Sequence, residues 1–494
     1  METLDPVACI IIGAGFSGIA MAAQLKRKLN FSNFSIYERS SSLGGTWFWN
    51  SYPGSAVDTP FLCYSLSFGP KADFATYYPT QPELLNYLKE IAFMYGLNHH
   101  IKLRTSFESA SWDEGSMTWN VRLRELDSGR PLLQNCKLLI SAMGNLADPK
   151  TGGLENLSKF QGDVLQTARW ESPVDLTNKK VAVIGNGSSA CQLIPAIASL
   201  PRCVYQFINS PRSFFPRSNP KIPVTWKWYF AHIPFLLMIC RFLILCLGEN
   251  TLIQYTTTPR GARSREQVRA RMLLHVKKNA PMEYWKLLLP EHEVGCKRVI
   301  QDKGYFASLY RDNVHLIEDP VIKCDGEGVI SRSGKHFPVD VIILATGLDP
   351  PWYNFNIVGL DGRTLRGHWN AIGSISAYLT TSCSGFPNFF MIYGPNSAPA
   401  HNSSLLSIEN VINLILRVAK PVILGNKSSV AVKYSYELQH YKEMQAVLRH
   451  GRVWNSCDSY YLDKDGHNIY VYPWSNIRMF INTHFPDMSA WKYS

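Results

Sequence analysis

A chain of 494 residues is too long for one ordinary hydrophobic core, so two or three domains are expected. Its composition, 46% hydrophobic and 18% charged, is typical of a globular protein and excludes an intrinsically disordered one. The net charge of +12 suits phosphate-bearing cofactors or an anionic membrane face, and the lack of any known nucleic-acid motif argues against nucleic acid as a partner.

The eleven cysteines show no C-x-x-C spacing and no neighbouring histidine cluster, so neither a zinc site nor a disulfide framework is predicted. An odd number of cysteines in a chain of this length fits a reducing compartment. The acidic start M-E-T-L-D-P-V does not resemble a signal peptide, and the end A-W-K-Y-S carries no lipidation or peroxisomal address. We therefore expect a cytoplasmic location, with membrane association left open and no prediction of oligomeric state.

The first predicted elements are a buried strand and a glycine-rich turn that opens a helix. Residues 7 to 12 form a continuous apolar run, as expected of a strand covered on both faces of a parallel sheet. Gly13, Gly15 and Gly18 follow at the G-x-G-x-x-G spacing, which allows a tight turn, close approach of a pyrophosphate and close helix–strand packing. The next strand ends in Glu38, where an acid accepts hydrogen bonds from ribose hydroxyls. A dinucleotide site is therefore predicted.

A run of glycines and aromatics follows at residues 42–58, S-L-G-G-T-W-F-W-N-S-Y-P-G-S-A-V-D. Paired glycines before Thr46 and Trp47 are more typical of FAD sites than of NAD sites. The run closely resembles the G-G-T-W-x-W-N-x-Y-P-G-x-x-x-D segment of the Baeyer–Villiger monooxygenases, a class B flavoprotein family. The run Y-P-T-Q-P-E at residues 78–83 resembles the next block of that family. The resemblance implies that this part of the chain binds FAD without a covalent link.

The stretch at residues 160–170, F-Q-G-D-V-L-Q-T-A-R-W, resembles the family signature F-x-G-x-x-x-H-x-x-x-W, except that Gln166 replaces the histidine. Glutamine keeps a hydrogen-bonding side chain but removes a group that titrates near neutral pH, so altered coupling between domains is expected. Trp170 ends the signature where N-oxygenating relatives have an aromatic-lysine ending, which favours Baeyer–Villiger chemistry. Ser51, where the family often has arginine, is a second departure near the flavin.

A second apolar strand and glycine turn begin at residue 180. The strand leads into Gly185, Gly187 and Ala190, the G-x-G-x-x-A variant that is common for NADP, with Ser188 and Ser189 between them. Two dinucleotide turns in one chain imply two nucleotide sites, which is the arrangement of a flavoprotein that is reduced by a nicotinamide.

The nicotinamide is predicted to be NADPH. No acid follows the next strand, residues 204–207, so nothing would repel a 2′-phosphate. The family usually places Gln-Arg where residues 208–209 read Ile-Asn, so one phosphate-binding arginine is missing from the resemblance. Ser210, Arg212 and Lys297 are expected to compensate for it.

Residues 228–247, W-Y-F-A-H-I-P-F-L-L-M-I-C-R-F-L-I-L-C-L, are about as long as a membrane span. Arg241 in the middle would be costly in hydrocarbon, and Pro234 would break a helix. A buried or interfacial helix pair is therefore favoured over a span, with peripheral membrane contact left open. The basic run at residues 260–278 is interpreted as a solvated helix face.

The block G-C-K-R at residues 295–298 resembles the G-x-K-R motif of the family. By that resemblance Lys297 meets the NADP phosphate and Arg298 reaches the flavin, where a C4a-peroxyflavin needs a permanent cation beside it to stay anionic. Asp58 is expected to orient Arg298 by a charge-assisted hydrogen bond. Arg298 and Asp58 are therefore the predicted catalytic residues.

Further blocks carry the resemblance to about residue 409. Residues 341–349, V-I-I-L-A-T-G-L-D, predict a buried strand that returns the chain to the FAD domain. Residues 141–144 correspond to this segment at the point where the chain first leaves the FAD domain, with Met143 in place of the usual threonine. F-P-N at 386–388 and Y-G-P-N at 393–396 match the last blocks of the family. No metal ligand is predicted. The predicted cofactor-binding residues are Gly13, Gly15, Phe16, Ser17, Gly18, Glu38, Arg39, Gly45, Thr46, Trp47, Tyr52, Asp58, Tyr64, Met143, Gly185, Gly187, Ser188, Ser189, Ala190, Ser210, Arg212, Lys297, Thr346, Gly347 and Asn396.

The predicted fold is α/β, with two Rossmann-like dinucleotide-binding domains, for FAD and NADPH, and a helical insert. FAD is assigned to residues 1–145 and 340–494, and NADPH to residues 146–215 and 295–339. The helical insert, residues 216–294, is placed on the substrate side.

The predicted function is insertion of one oxygen atom from O2 next to the carbonyl of a bulky hydrophobic ketone, giving an ester or lactone in specialised metabolism. A flavin-dependent hydroxylase, epoxidase or N/S-oxygenase, in which the peroxyflavin reacts as an electrophile, stays open as an alternative. A redox-silent flavoprotein that binds or cyclises its ligand is a third hypothesis, in keeping with Gln166, Asn209 and Ser51. A membrane-docked binding protein is the fourth. The position of the inserted oxygen, bleaching of FAD by NADPH and detergent-free solubility distinguish the four.

Overall fold

The structure of the protein is a computed structural model that describes residues 2–145, 147–170, 174–350 and 355–494. The domain boundary predicted at residue 146 falls outside the described residues. The helices are α1 (Phe16–Leu29), α2 (Thr46–Trp49), α3 (Gln81–Met94), α4 (Ser188–Ile197), α5 (Val224–His232), α6 (Leu236–Thr251), α7 (Pro259–Asn279), α8 (Trp285–Leu288), α9 (Tyr305–Ser308), α10 (Leu365–Ile372), α11 (Ser404–Ile423), α12 (Tyr434–Gly451) and α13 (Asn476–His484).

Within the described residues, the strands belong to two main sheets and four small ones. They are β1 (Glu2–Thr3), β2 (Val7–Ile12), β3 (Phe34–Tyr37), β4 (Ile101–Lys102), β5 (Thr105–Asp113), β6 (Thr118–Glu125), β7 (Pro131–Ser141), β8 (Asp148–Pro149), β9 (Asp163–Gln166), β10 (Lys180–Ile184), β11 (Cys203–Phe207), β12 (Phe214–Pro216), β13 (Ile300–Asp302), β14 (Val314–Ile317), β15 (Val321–Cys324), β16 (Gly328–Ser331), β17 (His336–Pro338), β18 (Val341–Leu344), β19 (Leu348–Asp349), β20 (Ile357–Val358), β21 (Phe389–Met391), β22 (Val430–Val432) and β23 (Trp491–Tyr493).

The larger sheet has nine strands and carries the first glycine turn. Strands β7, β2, β3 and β4 lie side by side and parallel, and β5, β6 and β7 form an antiparallel meander beside them. The two faces of β2 are buried in two different hydrophobic cores. Ile11 packs with helices α1 and α11, whereas Ile10 packs with residues from the meander. This two-sided burial explains why no polar residue alternates along the strand.

The second sheet has five strands in the order β14, β11, β10, β18, β9, all parallel. It carries the second glycine turn after β10, so the prediction of two Rossmann-like units is confirmed. The predicted return to the FAD domain at residue 340 is wrong in one respect. Strand β18 pairs with β10 from Val181↔Val341 to Ile184↔Leu344, so the chain leaves the second sheet only after Leu344. A buried apolar strand with an Ala-Thr-Gly ending fits either sheet, and the sequence alone does not choose between them.

Helices α5 to α8 follow β12 and precede β13. The break between α5 and α6 falls at residues 233–235, where Pro234 cannot continue a helix. One helix, with the 3-10 turn that follows it, is long and apolar enough to cross a membrane, Leu236–Tyr255, judged among the described residues by length and composition only.

A disulfide joins Cys296 to Cys457, which are 161 positions apart, with 6.1 Å between their Cα atoms. The expectation of no disulfide is therefore wrong for this pair, because cysteines brought together only by the tertiary fold leave no spacing pattern in the sequence. The bond ties the residue before Lys297 to a loop near the C-terminus.

Candidate active site

The first glycine turn is packed tightly against neighbouring backbone and lines the cavity described below. Gly13 has φ +106°, and a Cβ there would lie 2.7 Å from the carbonyl oxygen of Ala142 at the end of β7. A Cβ on Gly45 would lie 3.0 Å from the Cα of Gly15, so these two backbones touch directly. Helix α1 begins after Gly15 with no side-chain cap and no acid in its first turn. Its first N–H groups are thus available to an anionic ligand.

Glu38 is buried and fixes this turn. Its Oε2 accepts a 2.8 Å hydrogen bond from the Ala14 N–H, and its Oε1 accepts one of 2.9 Å from the Ser40 N–H. Arg39 forms an ion pair of 2.8 Å with Asp148, on the segment that leaves the first sheet. Both predicted residues line the cavity described below, and each also holds the surrounding backbone in place.

Three aromatic residues stand beside the turn. Trp47 and Tyr64 make an edge-on contact with ring centroids 5.7 Å apart, and Phe16 contacts Tyr64 at 5.5 Å. Tyr52 is predicted to bind a cofactor together with Trp47 and Tyr64, but unlike them it packs in the core of the second sheet. Its hydroxyl donates a 2.9 Å hydrogen bond to Gln192 of α4, so it joins the two nucleotide-binding units.

The second glycine turn repeats the geometry of the first. Gly185 has φ +120°, and a Cβ there would lie 2.4 Å from the carbonyl oxygen of Ala345 at the end of β18. A Cβ on Gly187 would meet nothing within 4 Å, and α4 begins after it without a side-chain cap or a first-turn acid. Thr346 and Gly347 follow Ala345, so they lie at this second turn. They lie outside the cavity lining, although Leu348, which follows them, lines it, so their contact with a nucleotide stays a prediction.

A cationic pocket lies next to the second turn, as the sequence predicts for a 2′-phosphate. Lys297 Nζ donates a 3.2 Å hydrogen bond to the Ser210 hydroxyl, and Arg212 Nε is buried without a hydrogen-bond partner among the described residues. Burial, and then the charge of Arg212, lower the pKa of Lys297, while Asp458 opposes them. A bound phosphate would satisfy the orphaned Nε and relieve the repulsion between the two cations.

Arg298 and Asp58 are brought together across 240 positions, with Arg298 donating a 2.6 Å hydrogen bond to the Asp58 carboxylate. Burial works to raise the pKa of Asp58, but the charges of Arg298, Arg217 and Lys303 together hold it below its ordinary value. The side chain of Arg298 is 51% exposed, and it faces the cavity. Asp58, on its other side, faces Arg217 at 3.5 Å.

Arg217 and Lys303 were not predicted. Arg217 lies with its guanidinium carbon 3.1 Å from the ring centroid of Tyr78 and donates to the Val57 carbonyl. Lys303 Nζ is buried and has no hydrogen-bond partner among the described residues. Burial, and then Arg217, lower the pKa of Lys303 to about 8, against the attraction of Asp58. No motif in the sequence marks either residue, since each becomes relevant only through its distance to Asp58.

A cavity of about 1160 Å³ connects the first glycine turn, the start of α4 and the Arg298–Asp58 pair. The predicted residues that line it are Gly13, Gly15, Phe16, Ser17, Glu38, Arg39, Gly45, Thr46, Trp47, Tyr52, Asp58, Tyr64, Met143, Ser188, Lys297 and Arg298. Those outside its lining are Gly18, Gly185, Gly187, Ser189, Ala190, Ser210, Arg212, Thr346, Gly347 and Asn396.

Asn396 has a structural role in place of the predicted contact. It is 1% exposed, and its Nδ2 donates a 2.7 Å hydrogen bond to the carbonyl of Asn468. The cavity wall on this side is instead aromatic, with Tyr460, Tyr461 and Tyr470. These residues lie beyond residue 409, where the resemblance ends, so no sequence signal identified them.

The altered signature lies at the contact between the two units. Gln166 ends β9, and its Nε2 donates a 2.9 Å hydrogen bond to the carbonyl of Lys150. The Trp170 carbonyl accepts a 3.1 Å hydrogen bond from Ser51 Oγ, and Arg169 lies over the ring of Trp49. Gln166 and Ser51, the two departures from the family pattern, thus both make hydrogen bonds to backbone carbonyls.

A buried group of His368, Cys383 and Glu437 offers three potential metal ligands away from the cavity. His368 and Glu437 already form a 2.9 Å hydrogen bond, and the second carboxylate oxygen accepts from the Ser384 N–H. The group is therefore explained as a satisfied buried pair next to a thiol.

The fold and the site define a class of protein: a two-nucleotide oxidoreductase of the flavoprotein type. Residues 11–78 match the NAD(P)-binding Rossmann-like domain family. A steroid monooxygenase bound to NADP superposes with a TM-score of 0.84 at 26% identity, covering 99% of both chains. Cyclohexanone monooxygenase from Rhodococcus sp. Phi1 gives 0.85 at 22% identity over 100% of this chain and 99% of that one, which supports the fold.

Two curated relatives are similar over nearly the whole chain. A Baeyer–Villiger monooxygenase of Streptomyces coelicolor is 30% identical, with 95% of this chain and 89% of the relative covered. Another, of Pseudomonas aeruginosa, is 30% identical over 97% of this chain and 90% of its own length. The chain belongs to the Baeyer–Villiger monooxygenase family. It is a flavin-dependent monooxygenase with FAD and NADPH as its cofactors.

Proposed function

We propose that the enzyme inserts one atom of O2 beside the carbonyl of a bulky hydrophobic ketone, giving an ester or a lactone in specialised metabolism. Bound FAD, once reduced by NADPH, would supply the activated oxygen for this reaction. The observation that carries the proposal is the position of Arg298, which projects into the cavity and is held by Asp58 at 2.6 Å.

Arg298 would stabilise the negative charge that develops on the reacting oxygen atoms. A guanidinium keeps its charge at every working pH, and the charge of Asp58, the largest influence, raises the pKa of Arg298 further. Asp58 would restrict the guanidinium to one orientation, so that its remaining N–H groups face the cavity. The side chain would therefore be preorganised before the ketone arrives.

The two glycine turns would hold the two cofactors at opposite ends of the cavity. Backbone N–H groups at the start of α1 would bind the FAD pyrophosphate, with Trp47 and Tyr64 beside the flavin portion. The start of α4 would bind the NADPH pyrophosphate, and Ser210, Arg212 and Lys297 its 2′-phosphate. We assign NADPH to the second sheet up to Leu344, with FAD on the first sheet.

A hydrophobic ketone fits the remaining wall of the cavity. Ile244 and Leu247 of α6 and Val268 and Met272 of α7 line part of it, and Tyr460 and Tyr461 face the same space. The same two helices also contribute polar residues, among them Gln267 and Arg271. Apolar and aromatic walls favour a ligand with little charge. The similarity to a steroid monooxygenase supports a substrate of polycyclic size.

The test is NADPH-dependent oxygen uptake by the purified FAD-loaded protein across a panel of small, cyclic and polycyclic ketones. We expect uptake to match the formation of products that are one oxygen atom heavier, with the largest rates for polycyclic ketones. Oxygen uptake that yields only hydrogen peroxide with every ketone, or products oxidised at sulfur or nitrogen alone, would contradict the proposal.

A further inference from the structure

The outer face of helices α5 and α6 is apolar and uncovered. Its exposed side chains include Trp228 (54% exposed), Phe235 (72%) and Phe242 (65%). Helix α6 with its following turn is long and apolar, yet few of its residues are buried against the protein. We define the docking face as the exposed residues Val224, Trp226, Trp228, Tyr229, Ile233, Phe235, Met238, Ile239, Phe242, Leu243 and Leu247.

The inner side of α6 is anchored in the protein, so this helix presents a face to its surroundings and does not cross a bilayer. Arg241 points inward and forms a 3.0 Å ion pair with Glu409 of α11, both side chains being about nine-tenths buried. Glu249, near the end of α6, accepts hydrogen bonds from Asn476 and Asn402. The charge of Arg241, which makes a membrane span unfavourable, is thus paired with Glu409 inside the protein. The outward residues of α6 from Met238 to Leu247 carry no charge.

Two neighbouring helices extend this surface. Helix α13 begins at Asn476, which contacts Glu249, and it exposes Ile477, Phe480 and Ile481. Helix α7 packs against the 3-10 turn that follows α6 and exposes a basic surface. Its exposed cations outside the cavity lining include Arg260, Arg263, Lys277 and Lys278, and Glu266 is its one acidic residue. Arg271 lines the cavity, and Arg269 donates hydrogen bonds to the carbonyls of Pro290 and His292.

We propose that the docking face binds the surface of a lipid bilayer that contains anionic lipids. Apolar residues flanked by Lys and Arg, with Trp and Tyr among them, are the pattern of helices that lie in the membrane interface. A second copy of the chain is a poorer occupant of this face, because it would bring a further +12 net charge and another basic α7 toward the first. Anionic headgroups would neutralise those cations.

Docking would set the cavity against the lipid. Ile244 and Leu247 belong both to α6 and to the cavity wall, and α7 contributes Val268 and Met272 to the same wall. A hydrophobic ketone dissolved in the bilayer would therefore reach the cavity between these two helices without crossing water. This consequence rests on the proposed function, whereas binding to the bilayer does not.

Flotation of the FAD-loaded protein with lipid vesicles tests the proposal. The vesicles are phosphatidylcholine alone, or phosphatidylcholine mixed with phosphatidylglycerol. We expect the wild-type protein to float with the anionic vesicles, and to float at least tenfold less with phosphatidylcholine alone or at high salt. A double variant, Phe242→Ser with Leu243→Ser, should lose at least tenfold of its binding to the anionic vesicles.

Two further variants separate the contribution of the docking face from that of other exposed apolar residues and from that of the basic charges. Phe93→Ser removes a 77% exposed phenylalanine from α3, outside the docking face, and should float like the wild type. Arg263→Glu with Lys278→Glu, on the exposed side of α7, should lose the preference for anionic vesicles. Retention of bound FAD reports that each variant is folded.

Wild-type protein that stays at the bottom with anionic vesicles would overturn the proposal, as would a Phe242→Ser/Leu243→Ser variant that floats normally. So would a lipid-independent dimer that this double variant converts to a monomer, because the face would then be an interface between copies. Flotation does not require catalytic turnover, so a failure to float would not contradict the proposed reaction. An inactive protein that floats would contradict the proposed reaction but not the docking.

Discussion

Arg298 and Asp58 are joined by a 2.6 Å hydrogen bond at the point where both nucleotide-binding units face one cavity. Arg217 lies 3.5 Å from the same carboxylate, and the charges of Arg298, Arg217 and Lys303 together lower the pKa of Asp58. This local excess of positive charge makes the charged form of Lys303 unfavourable. It would also stabilise negative charge that develops in the cavity beside Arg298.

The first prediction concerns Lys303, whose pKa is lowered from its ordinary value of 10.5 to about 8 by burial and Arg217. Below pH 8 the folded protein must keep this lysine charged in an unfavourable place, and between pH 8 and 10.5 the unfolded chain binds more protons than the folded one. Stability from this group therefore rises with pH through that interval. A Lys303→Met variant should be more stable than the wild type by about 1–3 kcal/mol below pH 8.

The measurement is thermal or urea unfolding of both proteins from pH 6 to pH 10.5. The difference between them should shrink as the pH rises above 8. A difference that stays constant with pH would mean that the ammonium is not penalised, and Lys277→Met on the exposed side of α7 serves as the matched control.

The two glycine turns give a paired prediction. Gly13→Ala and Gly185→Ala each place a Cβ against a carbonyl oxygen at positive φ, so each should distort its own turn. We expect Gly13→Ala to lose FAD, seen as colourless protein. Gly185→Ala should keep FAD but need at least tenfold more NADPH for reduction. The reverse pattern would mean that FAD binds at the second sheet and NADPH at the first.

The pocket of Ser210, Arg212 and Lys297 predicts the choice of nicotinamide. Lys297→Ala removes a cation that would contact the 2′-phosphate, so KM for NADPH should rise by about 10- to 100-fold, in line with loss of a charge-assisted contact. KM for NADH should change little, since NADH lacks this phosphate. Equal effects on both nicotinamides would place Lys297 elsewhere in the site.

The Cys296–Cys457 disulfide should stabilise the protein by linking the Lys297–Arg298 segment to the C-terminal loop. A cross-link over so long a separation is expected to contribute on the order of 2–4 kcal/mol. Dithiothreitol should therefore lower the Tm of the wild type but leave a Cys457→Ser variant unchanged. If reductant shifts both equally, or the unreduced wild type shows two additional free thiols in denaturant, the bond does not form in solution.

Much of the fold was predictable because it depends on local pattern. The apolar runs of β2 and β10, each followed by a glycine turn and a helix, carry their own signal of strand, turn and phosphate site. The Arg298–Asp58 pair was predicted only through the family resemblance, since 240 positions separate its members. Residue spacing alone could not have paired them.

What the sequence did not predict depends on tertiary packing. Arg217 and Lys303 are ordinary basic residues in the sequence, and only their approach to Asp58 distinguishes them. Strand β18 was placed in the wrong sheet because its apolar pattern fits either one. The inward direction of Arg241 likewise depends on Glu409 of α11, which the fold alone brings beside it.

The most direct test of the account is oxygen insertion from 18O2 into a ketone by the wild type and by Arg298→Ala, with Arg122→Ala, an exposed arginine of β6 outside the cavity lining, as the control. The account predicts an ester or lactone that carries 18O at the bridging oxygen. The Arg298→Ala variant should form about 10²- to 10³-fold less of it while FAD stays bound and is still reduced by NADPH. Full ester formation by Arg298→Ala, or label found only in hydroxylated products of the wild type, would contradict it.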